Sequence, residues 1–193
     1  MIFDEGPISK SEENVANFVT DMGKIFGNEE DSDFIVSVEG REFPVHRVIL
    51  RARSEVFARG VSTDMVEGFE DRWVLNDSSP EAVQAMLRHI YTGNIPAEVK
   101  EMPVDLLQLA TTYQLKDLVG ACTEVLLSRL TAENAVTTLV NFDRYLAGNT
   151  EVKKEVIGYI KKNAISVVRS ENWKLFVNNY GDLVTEIFEA MAS

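Results

Sequence analysis

Apolar residues fall along this chain in blocks whose spacing changes from helical to strand-like and back. Val15, Phe18, Val19, Met22, Ile25 and Phe26 follow the i, i+3, i+4, i+7 rule of one helical face, and Gly27-Asn28 supplies the stop. Residues 1–11, with Gly6, Pro7 and two serines, read as a lead-in to that helix. Phe34-Ile35-Val36-Ser37-Val38 and Glu42-Phe43-Pro44-Val45 then form two strand-like runs around Glu39-Gly40, a hairpin in which Glu replaces the preferred Asn or Asp. From His46 to Ala58 the helical spacing returns at Val48, Ile49, Ala52, Val56 and Phe57. Ser54 is placed to cap a second short helix within this stretch.

Residues 60–71 are polar, with Gly60 and Gly68, and lead into a short strand at Arg72-Trp73-Val74-Leu75. Ser78-Ser79-Pro80-Glu81 is a dense helix-start signal, ahead of Val83, Met86, Leu87, Ile90 and Tyr91 on one face and Gly93 as the stop. Leu106, Leu107, Ala110 and Tyr113, then Leu115, Leu118, Val119, Cys122, Val125 and Leu126, predict an antiparallel helix pair. Thr131-Ala132-Glu133-Asn134 caps a helix bearing Leu139, Phe142 and Leu146, which stops at Gly148. Val152, Val156, Ile157 and Ile160 mark the next helix, and shorter pieces follow around Trp173 and around Leu183, Ile187 and Phe188. The pattern is α+β over residues 31–128 and all-helical beyond, with no internal repeat and no low-complexity tract.

With 193 residues, 45% hydrophobic and 26% charged, the chain has the balance of a protein with a packed core. The net charge of −12 is uneven: residues 1–33 hold 9 acids and 2 bases, residues 151–193 hold 6 of each. That sign argues against nucleic acid and anionic membrane as direct partners, since both require clustered Lys and Arg. A single cysteine, Cys122, offers no intrachain disulfide, and the start Met1-Ile2-Phe3-Asp4-Glu5 lacks the basic and apolar regions of a secretory signal. Residence in cytoplasm or nucleus is the expectation.

Candidate chemistry is sparse. His46, His89 and Cys122 are too widely spaced for a metal site, no GxxxxGK[ST] or GxGxxG element cradles a phosphate, and GxSxG is absent. The reading is therefore a non-enzyme with no cofactor and no metal.

Several segments, taken in order, resemble the BTB/POZ domain. They are Asp33-Phe34-Ile35-Val36, Gly40-Arg41-Glu42-Phe43, His46-Arg47-Val48-Ile49-Leu50, Arg53-Ser54-Glu55-Val56-Phe57, Ile90-Tyr91-Thr92-Gly93, Leu106-Leu107-Gln108-Leu109-Ala110 and Tyr113-Gln114-Leu115. Within that family the likeness is to the MATH-BTB, speckle-type POZ protein-like group, and it runs on to Met191-Ala192-Ser193. The resemblance implies a lead-in and dimerisation helix over residues 1–30, a BTB/POZ domain over 31–128, and a helical three-box with part of a BACK region over 129–193. It also implies a departure, because no MATH domain, the substrate-binding element of that group, precedes residue 30.

The same resemblance gives roles to particular residues. Phe18, Met22 and Ile25, which by pattern alone fit packing on their own domain, would join Val48, Ile49 and Ala52 across a two-fold homodimer interface. Met65-Val66-Glu67, otherwise an oddity in a polar loop, matches the hydrophobic-x-Glu motif of cullin-binding relatives. Met65 would then insert into an apolar pocket of the cullin-3 N-terminal domain, with Glu67 fixing the loop or pairing at the rim. Phe188 is either local core or a second self-association contact, and Asp33 with Arg47 form a structural charge pair near the dimer groove. The implied function is a dimeric substrate adaptor that presents cullin-3 to proteins destined for ubiquitination, substrates being chosen by a missing or separate recognition domain. The alternative is a BTB oligomerisation module of a transcriptional repressor or cytoskeletal protein that binds a co-regulator.

Overall fold

The computed structural model describes residues 10–61 and 71–192. Helix α1 (Lys10–Ile25) begins ahead of its first apolar position and ends where Gly27 turns into the left-handed region at φ +81°. Strands β1 (Phe34–Val38) and β2 (Arg41–Val45) pair antiparallel, with Val38 opposite Arg41. Glu39 and Gly40 both take positive φ, 48° and 78°, as a type I′ two-residue turn requires. The hairpin thus forms despite Glu in a position that favours Asn.

Helices α2 (Arg47–Arg53) and α3 (Glu55–Gly60) are separate, as the sequence suggests. Ser54 divides them in an extended conformation, and its hydroxyl accepts the Phe57 N–H at 3.3 Å. Strand β3 (Arg72–Leu75) returns to pair with β1 in parallel, Val36 opposite Trp73, so the sheet order is β2-β1-β3. A parallel neighbour needs a crossover, and α2 and α3 lie within it.

Helix α4 (Pro80–Thr92) starts at Ser79, whose hydroxyl accepts the Ala82 N–H, with Pro80 in the first turn where no N–H is needed. Of the two serines in that start signal, Ser79 is the cap. Gly93 closes the helix in the left-handed conformation. A 3₁₀ turn at Ala97–Lys100 leads to the antiparallel pair α5 (Pro103–Thr112) and α6 (Lys116–Ser128).

The helical remainder comprises α7 (Ala135–Tyr145), α8 (Thr150–Lys162), α9 (Ala164–Val168), α10 (Glu171–Asn179) and α11 (Gly181–Ala192). Thr131 and Asn134 build the start of α7 reciprocally: the Asn134 amide oxygen accepts the Thr131 N–H at 2.7 Å, and the Thr131 hydroxyl accepts the Asn134 N–H at 3.3 Å. One apolar core runs from the sheet through α4, α5 and α6 into α7 and α8, taking in Val36, Leu50, Met86, Leu107, Cys122, Leu139, Phe142, Val156 and Ile160. The Tyr145 hydroxyl donates to Gln108 Oε1 across the α5–α7 contact. Lys153 on α8 bridges Asp143 on α7 and Glu186 on α11 at 2.8 and 3.0 Å. Among the described residues no helix is long and apolar enough to cross a membrane.

Candidate interaction faces

Helix α1 packs on α4 through one side only. Val19, Met22, Gly23 and Phe26 turn inward to varying depth, and a Cβ on Gly23 would stand 3.6 Å from the Thr92 methyl. Phe18 points the other way and is 64% exposed, beside Val15 and the partly exposed Ile25. On α2, Leu50 is fully buried whereas Val48 is 72% exposed, Ala52 is exposed and Ile49 is half-buried. The six residues expected at a dimer interface therefore sit on two helices that both pack on α4 and each leave apolar surface uncovered. Exposed apolar residues grouped on a surface mark contact sites.

Tyr91 joins these helices to the core. Its hydroxyl oxygen accepts the backbone N–H of His46, the residue that opens α2, at 2.8 Å, and lies 2.8 Å from His46 Nδ1. Its ring meets Phe26, just past α1, with centroids 5.2 Å apart. Burial pushes the Tyr91 phenol up to about 12; the His46 hydrogen bond works against that rise and the nearby Asp33 charge adds to it.

Asp33 and Arg47 form the junction before β1. The Asp33 carboxylate accepts the Arg47 backbone N–H at 2.8 Å, and Arg47 Nε donates to the Asp33 carbonyl at 3.1 Å. The Arg47 guanidinium also pairs with Asp71 and lies over the Phe34 ring, 4.4 Å from its centroid. The sequence reading expected Asp33 and Arg47 as a charge pair, and their two hydrogen bonds each join a side chain of one to the main chain of the other. That reading missed Asp71 and Phe34, because nothing local links Arg47 to residues 24 positions on and 13 positions back.

Met65, Val66 and Glu67 lie outside the described residues. Val61 is buried after α3, and the Ile35 N–H donates to the Asp71 carbonyl at 2.9 Å, ahead of β3. Between these flanks Phe57 stacks on Tyr113 at 4.5 Å and meets Trp73 edge-on at 5.4 Å, while the Trp73 indole N–H donates to the Tyr113 hydroxyl at 3.0 Å.

At the other end of the molecule, Phe188 on α11 is 60% exposed at the lip of an apolar groove of about 330 Å³. Ala164, Ile165, Val168 and Trp173 line the groove opposite it. Ile165 and Val168, both exposed, are three residues apart on α9. That short spacing was the only sequence signal for them, and five helical residues are too few for periodicity to register.

Among the described residues no group of three His, Cys, Asp or Glu side chains is placed to hold a metal ion. What the surface offers is apolar faces and ion pairs, which suit association with other proteins.

A BTB/POZ domain family model matches residues 22–130. "TD and POZ domain-containing protein 4" from Mus musculus is 33% identical over 174 residues, which is 90% of this chain and 46% of that protein, so the chain spans less than half the length of this relative. Among solved structures, the BTB domain of zebrafish PATZ1 covers 62% of this chain and 93% of its own, at 24% identity and a TM-score of 0.46. The BTB domain of human gigaxonin covers 64% and 98%, at 21% identity and a TM-score of 0.47. With more than half of its length inside the family model, the chain belongs to the BTB/POZ domain family, whose members are protein-interaction and oligomerisation modules.

Proposed function

We propose that this chain is a homodimeric substrate-adaptor module that binds the N-terminal domain of cullin-3 and places substrates for ubiquitin transfer, without an active site of its own. The observation that carries the dimer is the uncovered apolar face of α1 and α2, Phe18 and Val48 above all. Cullin binding is supported by the order of motifs, in which Met65-Val66-Glu67 stands between α3 and β3. It is supported further by a likeness to the mouse relative that extends through 174 residues, beyond the limit of the family model at residue 130 and so into the helices of the three-box and BACK reading. Substrate choice is assigned to a separate recognition domain of the MATH type.

Calorimetric titration of the purified chain with the cullin-3 N-terminal domain tests the reading, with light scattering run alongside. A mass of twice the chain and one cullin domain per protomer are expected. Replacing Met65 by Asp and Glu67 by Ala together removes an apolar anchor of about 1–3 kcal/mol, so affinity should fall by about five- to 150-fold with the circular dichroism spectrum unchanged. Unaltered affinity in that variant would sink the motif assignment. A folded dimer that does not bind cullin-3 would instead favour a co-regulator-binding module of a repressor or cytoskeletal protein.

Phe188 is proposed as a second self-association contact. Residues 164–179, which carry the far wall of its groove, hold Arg169 and Lys174 against the single acid Glu171, whereas 181–193 hold 3 acids and no base. A two-fold partner would therefore set an acidic α11 against a far wall whose charged lining residue is Arg169, with each Phe188 facing the other groove. Phe188→Asp should leave the dimer intact and remove larger species from sedimentation velocity profiles at high concentration. Profiles identical to wild type would show that Phe188 has no such role.

A further inference from the structure

Tyr91 occupies a position that neither its burial nor its place in α4 explains by itself. It is 4% exposed, so it cannot touch a second copy of the chain, yet it contacts the residues that adjoin both helices whose apolar residues are left uncovered, His46 before α2 and Phe26 after α1. His46 is the N-terminal boundary of α2 but caps none of that helix's N–H groups with its side chain. Its Nε2 is buried with no partner among the described residues. The Tyr91 hydroxyl is thus the polar anchor of the imidazole and of the His46 main chain at once. Val48 follows two residues later, and a rotation at the start of a seven-residue helix carries its whole exposed face with it. On the other side, the ring of Tyr91 abuts Phe26, which follows the last turn of α1, the helix bearing Phe18.

We infer that Tyr91 is a positioning residue for self-association: from the rigid α4 it sets the relative placement of α1 and α2, and hence the shape of the face they present to a second copy. This rests on the homodimer proposed above. A dimer interface requires two patches to meet their own symmetry mates at once, so a small relative shift of α1 and α2 costs contacts on both sides of the two-fold axis. The hydroxyl of a buried tyrosine is a good device for the purpose, because leaving the His46 N–H unsatisfied is expensive in every other arrangement.

Tyr91→Phe keeps the ring on Phe26 and deletes the hydroxyl. Sedimentation equilibrium on the full chain should show the dimer dissociation constant weakened by about ten-fold. His46→Ala keeps the main-chain half of the contact and should weaken it by about three-fold. Val156→Ala, deep in the helical extension, should lower the thermal midpoint and leave the dissociation constant within about two-fold of wild type, since distant sites act independently. Combining Tyr91→Phe with Val48→Ala should cost less than the two changes multiplied, because Val48 acts through the placement that Tyr91 sets. A Tyr91→Phe dimer as tight as wild type, with a lowered thermal midpoint, overturns the inference and leaves the homodimer standing. A wild-type chain that is monomeric at every concentration removes both.

Discussion

Phe57→Ala should be among the most destabilising single changes in this chain, lowering the free energy of unfolding by about 3–5 kcal/mol out of a total of about 5–15. Phe57 is fully buried and joins three elements: its own α3, β3 through Trp73, and the α5–α6 turn through Tyr113. The neighbours cannot close over the hole. Trp73 is held by its hydrogen bond to the Tyr113 hydroxyl and lies so close to Gly60 that a Cβ there would stand 2.4 Å from the indole. Tyr113 is held in turn at its carbonyl, which accepts the Ser54 hydroxyl at 2.8 Å. Urea denaturation followed by far-ultraviolet circular dichroism would measure the loss, and the thermal midpoint should drop by about 10 °C for a chain of this size. A loss below about 1.5 kcal/mol would mean that the pocket collapses freely, contrary to the pinned geometry.

That cluster also shows where reading the sequence stops. Phe57, Trp73 and Tyr113 were each visible as apolar positions of separate elements, and the helices and strands that carry them followed from spacing, Ser54 and the turn glycines. Their meeting was not visible, because it depends on β3 pairing in parallel with β1 across an intervening helical crossover, a contact that no local pattern encodes. The hairpin and the start and stop of α4 were legible for the opposite reason: the residues that decide them are neighbours in the chain. The same division runs through the candidate faces. Amphipathic spacing placed Phe18, Met22 and Ile25 on one stripe, but only packing reveals that Met22 leans toward the core while Phe18 faces out. Likewise the 45-residue separation of His46 and Tyr91 hid the contact that ties the two outward-facing helices together.

The second large effect is a loss of stability at alkaline pH. Burial pushes the Cys122 thiol from its ordinary 9.0 up to about 12, and the Tyr91 phenol from 10.0 to about 12. Tyr113 is raised by burial too, its hydrogen bond from Trp73 opposing the shift. In the unfolded chain these groups ionise at their ordinary values, so between pH 9 and 12 unfolding releases protons that the folded state retains. Each group that is neutral when folded and charged when unfolded lowers stability by about 1.4 kcal/mol per pH unit above its unfolded pKa. By pH 11 Cys122 and Tyr91 alone remove about 4 kcal/mol, while below pH 9 they contribute no slope. Lys153 acts in the same direction. Burial disfavours its charge, but hydrogen bonds to Asp143 and Glu186 outweigh that and raise its pKa, so the stability it adds below its ordinary 10.5 is lost as the pH climbs through the raised value. Urea midpoints measured from pH 7 to 11.5 should therefore be flat and then fall. Cys122→Ala should remove the earliest part of the fall, between pH 9 and 10, while Tyr91→Phe should shallow only the part above 10. A Cys122→Ala curve parallel to wild type throughout would show that the thiol titrates alike in both states, which burial at the centre of α6 does not allow.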